Sequence, residues 1–598
     1  MVLTLCLLFG ISHTWAQTKT ITGAVKDSVG AALAGVSISA KGASATTDAT
    51  GNYSIKVDEK TTSLEFSFVG FTTQNVNIAG RSVVNVTLLF ADSKLDDVVV
   101  TGFQRIDKAK FGGSAVSLKA DQVKIDGMTD VSRMLEGRVA GVAIQNPSGT
   151  FGAAPKVRIR GATSLNGANK PLWVIDGVVL EDIVNVSNDQ LTSGDPSTLL
   201  GSPVAGLNPN DIESFDILKD ASAAALYGAR AMNGVIVITT KKGKTGKANI
   251  SYVGNYSTQL KPQYGDYNIM NSAQQMSLLA QLERGGSLTS AIVSRSNNAM
   301  FGKMFNALNG TDAGTFPLEN TTEAKNAFLM RYAMANTNWF DVLFKNSFIQ
   351  EHSVSVTFGT DKSQSYFSTS YLGDNGWTIG DKVDRYTLNF RNTYKFSDKF
   401  TMGFSTLGSV RQQRAPGTVT RRSNPVEGRY DRDFDINPFS YALNTSRAIT
   451  PYDENGNLEY FKRNFADFNI IDELANNYLK INMIDLRLQT DASWKFAKNF
   501  RYDFLAAIRM VKTGREHMIT ENSNMANAYR AADNATIREA NNFLYRNPDD
   551  PEAEKVIVLP KGGFYNTTND DMVFYNIRNS VNYNNTFAGK HTIDVIAG

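Results

Sequence analysis

Two short motifs have residue types and a spacing that could support phosphate or metal chemistry. The tripeptide Gly-Lys-Thr at residues 243–245 matches the end of a phosphate-binding loop, but isoleucine stands at position 238, where that motif requires its first glycine. The pentapeptide DRDFD at residues 431–435 spaces three carboxylates like the start of an EF-hand loop, but isoleucine and alanine occupy the sixth and twelfth positions. We therefore expect a solvated basic turn at the first motif, and the second leaves a loop calcium site open.

The histidines and the single cysteine add no catalytic pattern. The four histidines lack a metal-binding spacing such as His-Glu-x-x-His, and no Gly-x-Ser-x-Gly nucleophile elbow occurs. Cys6 is the only cysteine, so neither a disulfide framework nor a cysteine-based metal site can be proposed. The sequence therefore predicts a protein that is not an enzyme and needs no bound cofactor.

The charge balance and the hydropathy pattern exclude two further classes. The chain of 598 residues carries 61 basic and 58 acidic side chains, a net charge of +3, whereas a nucleic-acid-binding protein is expected to carry a marked basic excess. No run of ~18 apolar residues occurs, which argues against a helical membrane span. Strands of a membrane barrel alternate and give a weak hydropathy signal, so a barrel remains open.

Residues 1–16 resemble a secretory signal. An apolar core of about ten residues precedes Ala16, and cleavage before Gln17 would leave a mature chain without cysteine. The basic residues that usually begin such a signal are missing, because no lysine or arginine precedes Lys19. We therefore expect an exported protein whose true start lies upstream.

Alternating residues predict a small β-sandwich over residues 19–90. In Val36–Ser39 and Leu64–Phe68, apolar and polar residues alternate, which gives each strand one buried face. Gly51-Asn52 supplies turn chemistry between two of the strands. The segment resembles the carboxypeptidase-regulatory-like, Ig-type domain, a structural module that says little about chemistry.

Residues 105–245 mix helical and strand patterns. Strands are predicted at 156–160 and 171–180, the second with Asp176-Gly177 as a turn signal. The ordered stretch LNPNDIESFDILKDASAAALYGARAMNGVIVITT at residues 207–240 resembles the plug of TonB-dependent outer-membrane transporters, specifically of the SusC/RagA branch. The resemblance implies an α/β plug domain over residues 105–245.

The linker at residues 91–104 contains a short β-branched strand with no obvious hairpin partner nearby. Such a strand could be donated to the sheet edge of another protein, and the alternative is a linker strand that pairs internally. In the context of the resemblance, this strand becomes the TonB box. Its residues are Asp96, Asp97, Val98, Val99, Val100, Thr101 and Gly102.

Residues 248–598 have the periodicity of long antiparallel strands. In the segment DRYTLNFRNTYKF, Tyr386 and Leu388 share one face while Thr387 and Asn389 share the other, as a plugged membrane barrel requires. Long and short connections alternate, which places every long loop on one side of a membrane. About nine strands are visible, whereas plugged transporters use 22. The predicted fold class is therefore mainly β: an Ig-like sandwich, an α/β plug and an incomplete transmembrane barrel, in the N-terminal part of a longer chain.

Three arginines of the plug are candidates for a lock against the barrel wall. They are Arg158, Arg160 and Arg230. An arginine inside a barrel can hold a carboxylate bidentately, so we hypothesise that these side chains face lumenal acids until a pull on the TonB box rearranges the plug. The alternative is solvent-facing charge on a sheet edge.

Asparagine and tryptophan side chains near residues 162–170 are candidates for contact with a solute. Asn166, Asn169 and the adjacent Trp173 suit the hydroxyl groups and C–H surfaces of a sugar. The loop could equally be a structural turn.

The resemblance also implies a function and its partners. The family imports oligosaccharides or peptides across the outer membrane, with work supplied by the TonB C-terminal domain together with ExbB and ExbD, and with a SusD-like surface lipoprotein over the barrel mouth. The alternatives are a TonB-linked surface receptor or signal transducer that binds ligand without importing it, and a secreted adhesin built from β-domains.

Overall fold

Strands dominate the described part of the chain, which is mainly β as the sequence predicts. In this computed structural model the described residues are 18–28, 30–40, 42–68, 71–78, 80–89, 98–102, 105–107, 111–125, 130–145, 155–159, 161, 170–183, 199–220, 225–288, 299–309, 317–417, 422–424, 429–431, 436–533, 535–588 and 591–598. The chain divides into two units, Met1–Val98 with Asp107–Ala109 and Val99–Ile106 with Lys110–Gly598. The predicted signal at residues 1–16 lies outside the described residues.

The first unit contains a β-sandwich. Its described strands are β1 (Thr18–Asp27), β2 (Ser37–Ala40), β3 (Ala43–Thr46), β4 (Asn52–Asp58), β5 (Ser63–Ser67), β6 (Gln74–Asn77) and β7 (Val86–Leu88). One sheet has the order β4-β1-β7 and the other has the order β3-β2-β5-β6. Alternation along the strands buries one face of each sheet, so that Ile55 of β4 packs in the same core as Ile38 and Phe66.

The plug belongs to the second unit and is built around a five-stranded sheet. After the short pair β8 (Val98–Val100) and β9 (Arg105–Asp107), its elements are β10 (Ala115–Lys119), α1 (Ala120–Val123), β11 (Val142–Gln145), β12 (Lys156–Ile159), β13 (Leu172–Ile175), β14 (Val178–Leu180), β15 (Ile212–Leu218) and β16 (Val235–Thr240). The sheet order is β10-β15-β16-β13-β14, and β11 pairs with β12 separately. Every residue of β16 is buried, because this central strand is covered on both faces.

A large antiparallel sheet follows the plug. Its strands are β17 (Gly246–Gln259), β18 (Ser347–Gly359), β19 (Ser363–Asp374), β20 (Lys382–Lys395), β21 (Phe400–Pro416), β26 (Asn477–Ala497), β27 (Phe500–Ile519), β28 (Phe564–Phe587) and β29 (His591–Ala597). They pair in sequence order, apart from four short strands in the loop before β26: β22 (Arg422–Asn424), β23 (Arg429–Asp431), β24 (Phe461–Arg463) and β25 (Ala466–Phe468). The sheet is consistent with part of a barrel wall, and it contains the nine strands that the sequence predicts.

Several strands extend beyond their predicted bounds. The periodicity predicts strands over 484–496 and 572–587, whereas β26 begins at Asn477 and β28 at Phe564. The added residues continue the pairing with β27. On β26 they still alternate, but the buried face now carries the apolar residues Leu479, Ile481 and Met483, so the phase of the pattern reverses near residue 484. On β28 the added residues are mostly polar on both faces. A search for one continuous apolar and polar alternation therefore misses both extensions.

The face of the large sheet that points away from the plug carries an apolar band. On β26, Ile484 lies opposite Val410 of β21, and Leu486 lies opposite Met510 of β27. The alternate residue Arg487 points the other way and contacts the plug. Because side chains alternate along a strand, the polar half of each strand lines the inside and the apolar half faces outward, as a membrane barrel requires.

The height of this band matches the hydrocarbon layer of an outer membrane. On β26 the band runs from Ile484 to Trp494. Ten residue steps at ~3.3 Å each, tilted by ~40°, span about 25 Å, the height of the apolar belt of such barrels. Above the band, Asn482 and Lys480 face outward, and Phe496 accompanies Trp494 at the lower edge, near the short turn. Aromatic rings at that level suit a membrane interface.

The long connections all lie at one end of the sheet and carry the helices α2 (Ser272–Arg284), α3 (Ala299–Asn309), α4 (Thr322–Ala335), α5 (Trp339–Leu343), α6 (Pro438–Asn444), α7 (Ile470–Asn476), α8 (Asn524–Ala528) and α9 (Ala535–Ala540). Helices from two different loops share an apolar core that contains Trp339, Phe340 and Leu474. These loops therefore pack into a structure of their own. Among the described helices, none is long and apolar enough to cross a membrane.

We expect a charge in the middle of the band to destabilise the wall. Leu486→Arg places a guanidinium against lipid and should lower the free energy of unfolding in lipid vesicles by ~2–4 kcal/mol. Asn482→Arg, on the same strand and face but above the band, should change it by less than ~1 kcal/mol. Urea titration of both variants measures the difference, and equal losses would contradict a lipid-facing band.

Candidate functional site

The hairpin between β13 and β14 lies between the large antiparallel sheet, which we call the wall, and residues 99–102 at the start of the second unit. Its turn residues, Asp176 and Gly177, both have positive φ angles, 48° and 85°, which an Asp-Gly turn tolerates. A Cβ atom at Gly177 would lie 2.6 Å from the carbonyl oxygen of Gly102 and 3.1 Å from Nη2 of Arg578. The turn is therefore enclosed by the end of the predicted TonB box on one side and by the barrel wall on the other.

The carboxylate of Asp176 is buried between two arginines of the wall. Its Oδ1 lies 3.3 Å from Nη1 of Arg391, and its Oδ2 lies 3.5 Å from Nη2 of Arg487. Thr240 donates hydrogen bonds to it from its backbone N–H (3.0 Å) and its hydroxyl (2.7 Å). Burial acts to raise the pKa of Asp176, but the two guanidinium groups and Thr240 outweigh it and hold this pKa below its usual range. The carboxylate therefore stays ionised at neutral pH.

Arginines of the wall also bind backbone carbonyls of the plug. The donor and acceptor residues are Arg487 and Ile175 (3.0 Å), Arg578 and Gly177 (3.1 Å), Arg509 and Glu181 (3.0 Å), Arg385 and Ala205 (3.1 Å), and Arg411 and Leu199 (3.1 Å). These arginines lie on five neighbouring strands, β20, β21, β26, β27 and β28. We call them, with Arg391, the arginine clamp. A hydrogen bond from a charged donor is stronger than a neutral one, so the clamp ties two stretches of plug backbone, residues 175–181 and 199–205, firmly to the wall.

A second contact between plug and wall uses neutral donors. The Oδ1 of Asp211 accepts hydrogen bonds from Tyr366 (2.9 Å) and Ser368 (2.5 Å) of β19. Nearby, the side-chain amide of Asn208 donates to Ser353 of β18 (3.0 Å). Burial raises the pKa of Asp211 by more than these hydrogen bonds lower it. The two contacts therefore differ in chemistry, because one is built from guanidinium groups and the other from hydroxyl and amide groups.

The described part of the predicted TonB box packs into the plug. Val99 is 1% exposed and shares an apolar cluster with Val174 and Val235 of the central sheet. The carbonyl oxygen of Thr101 accepts a hydrogen bond from the hydroxyl of Tyr227 (2.6 Å). The strand β8 also pairs with β9, which is the internal pairing that the sequence leaves open as an alternative. Asp96, Asp97 and the side chain of Val98 lie outside the described residues.

Two of the three predicted lock arginines, Arg158 and Arg230, lie among the described residues. Arg158 is half-buried, and its Nε has no hydrogen-bond partner within the described part of the chain. Arg230 is 60% exposed and pairs with Glu181, so both partners of this ion pair belong to the plug. The backbone carbonyl of Glu181 accepts from Arg509, which places Arg230 one residue away from the clamp. Arg160 lies outside the described residues.

Of the three candidate solute residues, Trp173 lies among the described residues. Trp173 is 6% exposed and packs in the plug core, so its ring offers no open platform here. Asn166 and Asn169 lie outside the described residues. The carboxylates of residues 431–435 lie outside them as well, and the described side chains include no group of three or more that could hold a metal ion.

Sequence reasoning missed the clamp, although a signal for it exists. Inward positions of successive strands hold Arg391, Arg411, Arg487, Arg509 and Arg578. A buried cation repeated at the same face of neighbouring strands requires a partner, because an unpaired buried charge is costly. That pattern indicates that the plug supplies acceptors to the arginines of the wall. The lock formed by arginines of the plug stays a prediction.

We expect the buried ion pairs of Asp176 to contribute more than the exposed pair of Glu181. Asp176→Asn keeps the shape but leaves Arg391 and Arg487 buried without a counter-charge, which should lower the free energy of unfolding by ~3–5 kcal/mol. Glu181→Gln breaks an exposed pair and should cost less than ~1 kcal/mol. Denaturant titration and limited proteolysis of both variants in detergent test this, and equally small losses would contradict the clamp.

Asp211 should make the stability depend on pH in the opposite sense to Asp176. Its pKa in the folded protein is raised, so the folded protein binds more protons than the unfolded chain as the pH rises above ~4. Its contribution to stability therefore falls as the pH rises from there through the folded pKa. Asp211→Asn should remove this part of the slope in melting temperature above pH ~4. The exposed carboxyl variant Glu213→Gln controls for the loss of one charge, and an unchanged slope in Asp211→Asn would contradict the prediction.

Two protein families match parts of the chain. Residues 107–235 match the TonB-dependent Receptor Plug Domain, and residues 21–100 match the CarboxypepD_reg-like domain. TonB-dependent receptor P26 of Formosa agariphila is 29% identical over 469 residues, which cover 76% of this chain and 41% of the relative. TonB-dependent receptor SusC of Bacteroides thetaiotaomicron is 31% identical over 381 residues, which cover 63% of this chain and 32% of the relative.

Solved structures match the fold over most of the chain. The RagAB peptide importer in its open-open state aligns with a TM-score of 0.56 at 20% identity, over 83% of this chain and 48% of that chain. The RagAB peptide transporter aligns with a TM-score of 0.55 at 19% identity, over 81% and 47%. The chain thus spans about a third to two fifths of the curated relatives it matches and about half of these solved chains. Together with the plug, the regulatory-like domain and the antiparallel sheet, these matches confirm that the chain is of the SusC/RagA type among the TonB-dependent receptors.

Proposed function

We propose that this protein serves TonB-dependent, energy-coupled import of oligosaccharides or peptides across the outer membrane. One observation carries the proposal: the predicted TonB box lies directly against the hairpin that the clamp holds. Gly102 at the end of the box and Gly177 in the hairpin are so close that no Cβ atom fits between them. A pull on the box would therefore act first on the hairpin at Asp176-Gly177, which the clamp holds against the wall.

The clamp explains how the plug can hold when no force acts on it. Each hydrogen bond to a guanidinium group contributes ~1.5–3 kcal/mol, and several act in parallel on residues 175–181. A pull that enters the plug at Gly102 would load these bonds one after another. Only one or two of them would then have to break at a time. TonB, with ExbB and ExbD, would supply this work by gripping the box from the periplasm.

A small cavity marks the seam at which the plug would open. It has a volume of about 260 Å³ and lies between the box, the hairpin and the wall, next to Val100, Asp176, Arg391 and Arg578. Its lining is polar enough to hold water. An oligomeric solute needs a wider path, so passage requires the hairpin to leave its place among the arginines.

The opposite end of the wall suits a partner at the cell surface. Helices from two loops pack there around a common apolar core, which gives the loops a defined surface. A SusD-like lipoprotein that closes over the barrel mouth would bind this surface. Peptides and oligosaccharides both stay candidates as solutes, and the similarity to the RagAB peptide importer supports testing peptides first.

The decisive experiment compares solute accumulation with solute binding. Deletion of residues 96–102 should reduce accumulation of labelled peptides or oligosaccharides to the level of a strain without the protein, because the energy input is lost, while binding at the cell surface persists. Replacement of residues 91–95 by a glycine-serine segment of equal length serves as the matched control and should preserve uptake. Accumulation that survives the deletion would overturn TonB coupling. Surface binding without accumulation in the unaltered protein would favour the alternative, a receptor or signal transducer.

A further inference from the structure

Tyr227 occupies a special position between the box and the rest of the plug. It lies in the 3-10 segment Ala225–Ala231, where Gly228 interrupts the helical conformation with φ 62° and ψ −149°. Its ring packs in the same apolar cluster as Val99 and Val174, and its hydroxyl donates to the carbonyl oxygen of Thr101 at 2.6 Å. Burial raises the pKa of Tyr227 well above its usual range, so the phenol remains a hydrogen-bond donor at any physiological pH.

Gly102 is shaped to receive this hydroxyl. Its φ angle is +81°, and a Cβ atom there would lie 2.1 Å from the phenolic oxygen of Tyr227 and 3.3 Å from Cγ1 of Val174. The tyrosine thus fills the space that a side chain at residue 102 would need. The end of the box and Tyr227 fit each other through two separate features, a hydrogen bond and a complementary shape.

The same place is connected to the barrel wall. Arg578 of β28 donates to the carbonyl oxygen of Gly177, and its charge acts on Tyr227. Gly177 in turn contacts Gly102. Wall, hairpin, tyrosine and box therefore form one continuous set of contacts, in which the bond between Tyr227 and Thr101 is the neutral member. Neutral hydrogen bonds are weaker than those of guanidinium groups, so this bond is the first to open under load.

We propose that Tyr227 is a positioning residue that latches the end of the box, and that the loss of its hydrogen bond to Thr101 releases Val99–Gly102 before the clamp opens. The proposal rests on the proposed function only in taking TonB as the partner that grips the released segment. The hydroxyl sets the fraction of molecules in which the box is free, whereas the ring contributes to the core of the plug. A substitution that removes the oxygen alone separates these two roles.

Tyr227→Phe tests the latch by cysteine labelling. Thr101→Cys retains the backbone carbonyl and places a thiol on a residue that is 1% exposed. Cys6→Ser removes the only other cysteine of the sequence. In this background, Tyr227→Phe should speed the reaction of residue 101 with a maleimide by about 2- to 10-fold, the range expected for one net hydrogen bond. An unchanged labelling rate would overturn the latch.

Two further variants serve as controls for the labelling experiment. Tyr575→Phe removes a hydroxyl from the exposed outward face of β28 and should change neither labelling nor the melting temperature. Gly102→Ala forces a methyl group into the place of the Tyr227 hydroxyl and should speed labelling by the same route, which keeps the test valid if Tyr227→Phe folds poorly. A rise in labelling with a matching fall in melting temperature, in both variants, would show a loosened plug and would overturn the latch.

Binding of the isolated TonB C-terminal domain distinguishes this inference from the proposed function. If both hold, Tyr227→Phe should bind that domain more tightly by the same factor by which labelling rises, because less of the binding energy is spent on release. Faster labelling without any binding in either protein would overturn the proposed function and leave the latch standing. Equal binding and equal labelling in both proteins would overturn the latch and leave the proposed function standing.

Discussion

Arginines lie opposite each other on neighbouring strands of the wall, and hydrogen bonds to the plug reduce the repulsion between them. Arg385 lies opposite Arg411, and Arg487 lies opposite Arg509, in the cross-strand register. Side chains at such positions are close, and like charges there repel each other. Asp485 offsets one of these charges within the wall. Glu351 of β18 offsets the charge of Arg385 in the same way. Plug carbonyls and the carboxylate of Asp176 add further compensation, so wall and plug stabilise each other.

The use of carbonyls has a consequence for how the plug is held. A carbonyl oxygen accepts a charged hydrogen bond without bringing a second full charge out of water, so it avoids most of the desolvation that a buried ion pair requires. It also belongs to every residue type, which leaves the plug side chains at Ile175 and Glu181 free of that role. The arginines of the wall therefore recognise the positions of backbone carbonyls, and the turn at Asp176-Gly177 sets these positions.

The sequence predicts the elements that depend on local periodicity. It does not predict contacts between residues that lie far apart in the chain. The nine strands, the two faces of DRYTLNFRNTYKF and the Asp-Gly turn follow from spacings of two to four residues. The partner of Asp176 cannot be read in this way, because Arg391 and Arg487 lie more than 200 residues away. Trp173 is a candidate for solute contact by residue type alone, whereas its burial in the core depends on the position of β13 between β16 and β14, which are distant in sequence or paired only after the chain folds.

The two contacts between plug and wall give the proposed movement a direction. The contact next to the box consists of charged hydrogen bonds to a hairpin of a few residues, and the contact at Asn208–Asp211 uses hydroxyl and amide donors in hydrogen bonds with β18 and β19. A force that enters at Gly102 reaches the hairpin directly, whereas it reaches Asp211 only through the central strands β16 and β15. Once the hairpin leaves the arginines, the repulsion between their cross-strand pairs is no longer compensated by the plug and must be met by water. In the proposed movement, entry of water into the seam would therefore accompany the opening of the hairpin, and the attachment at Asp211 would be the side about which the plug turns.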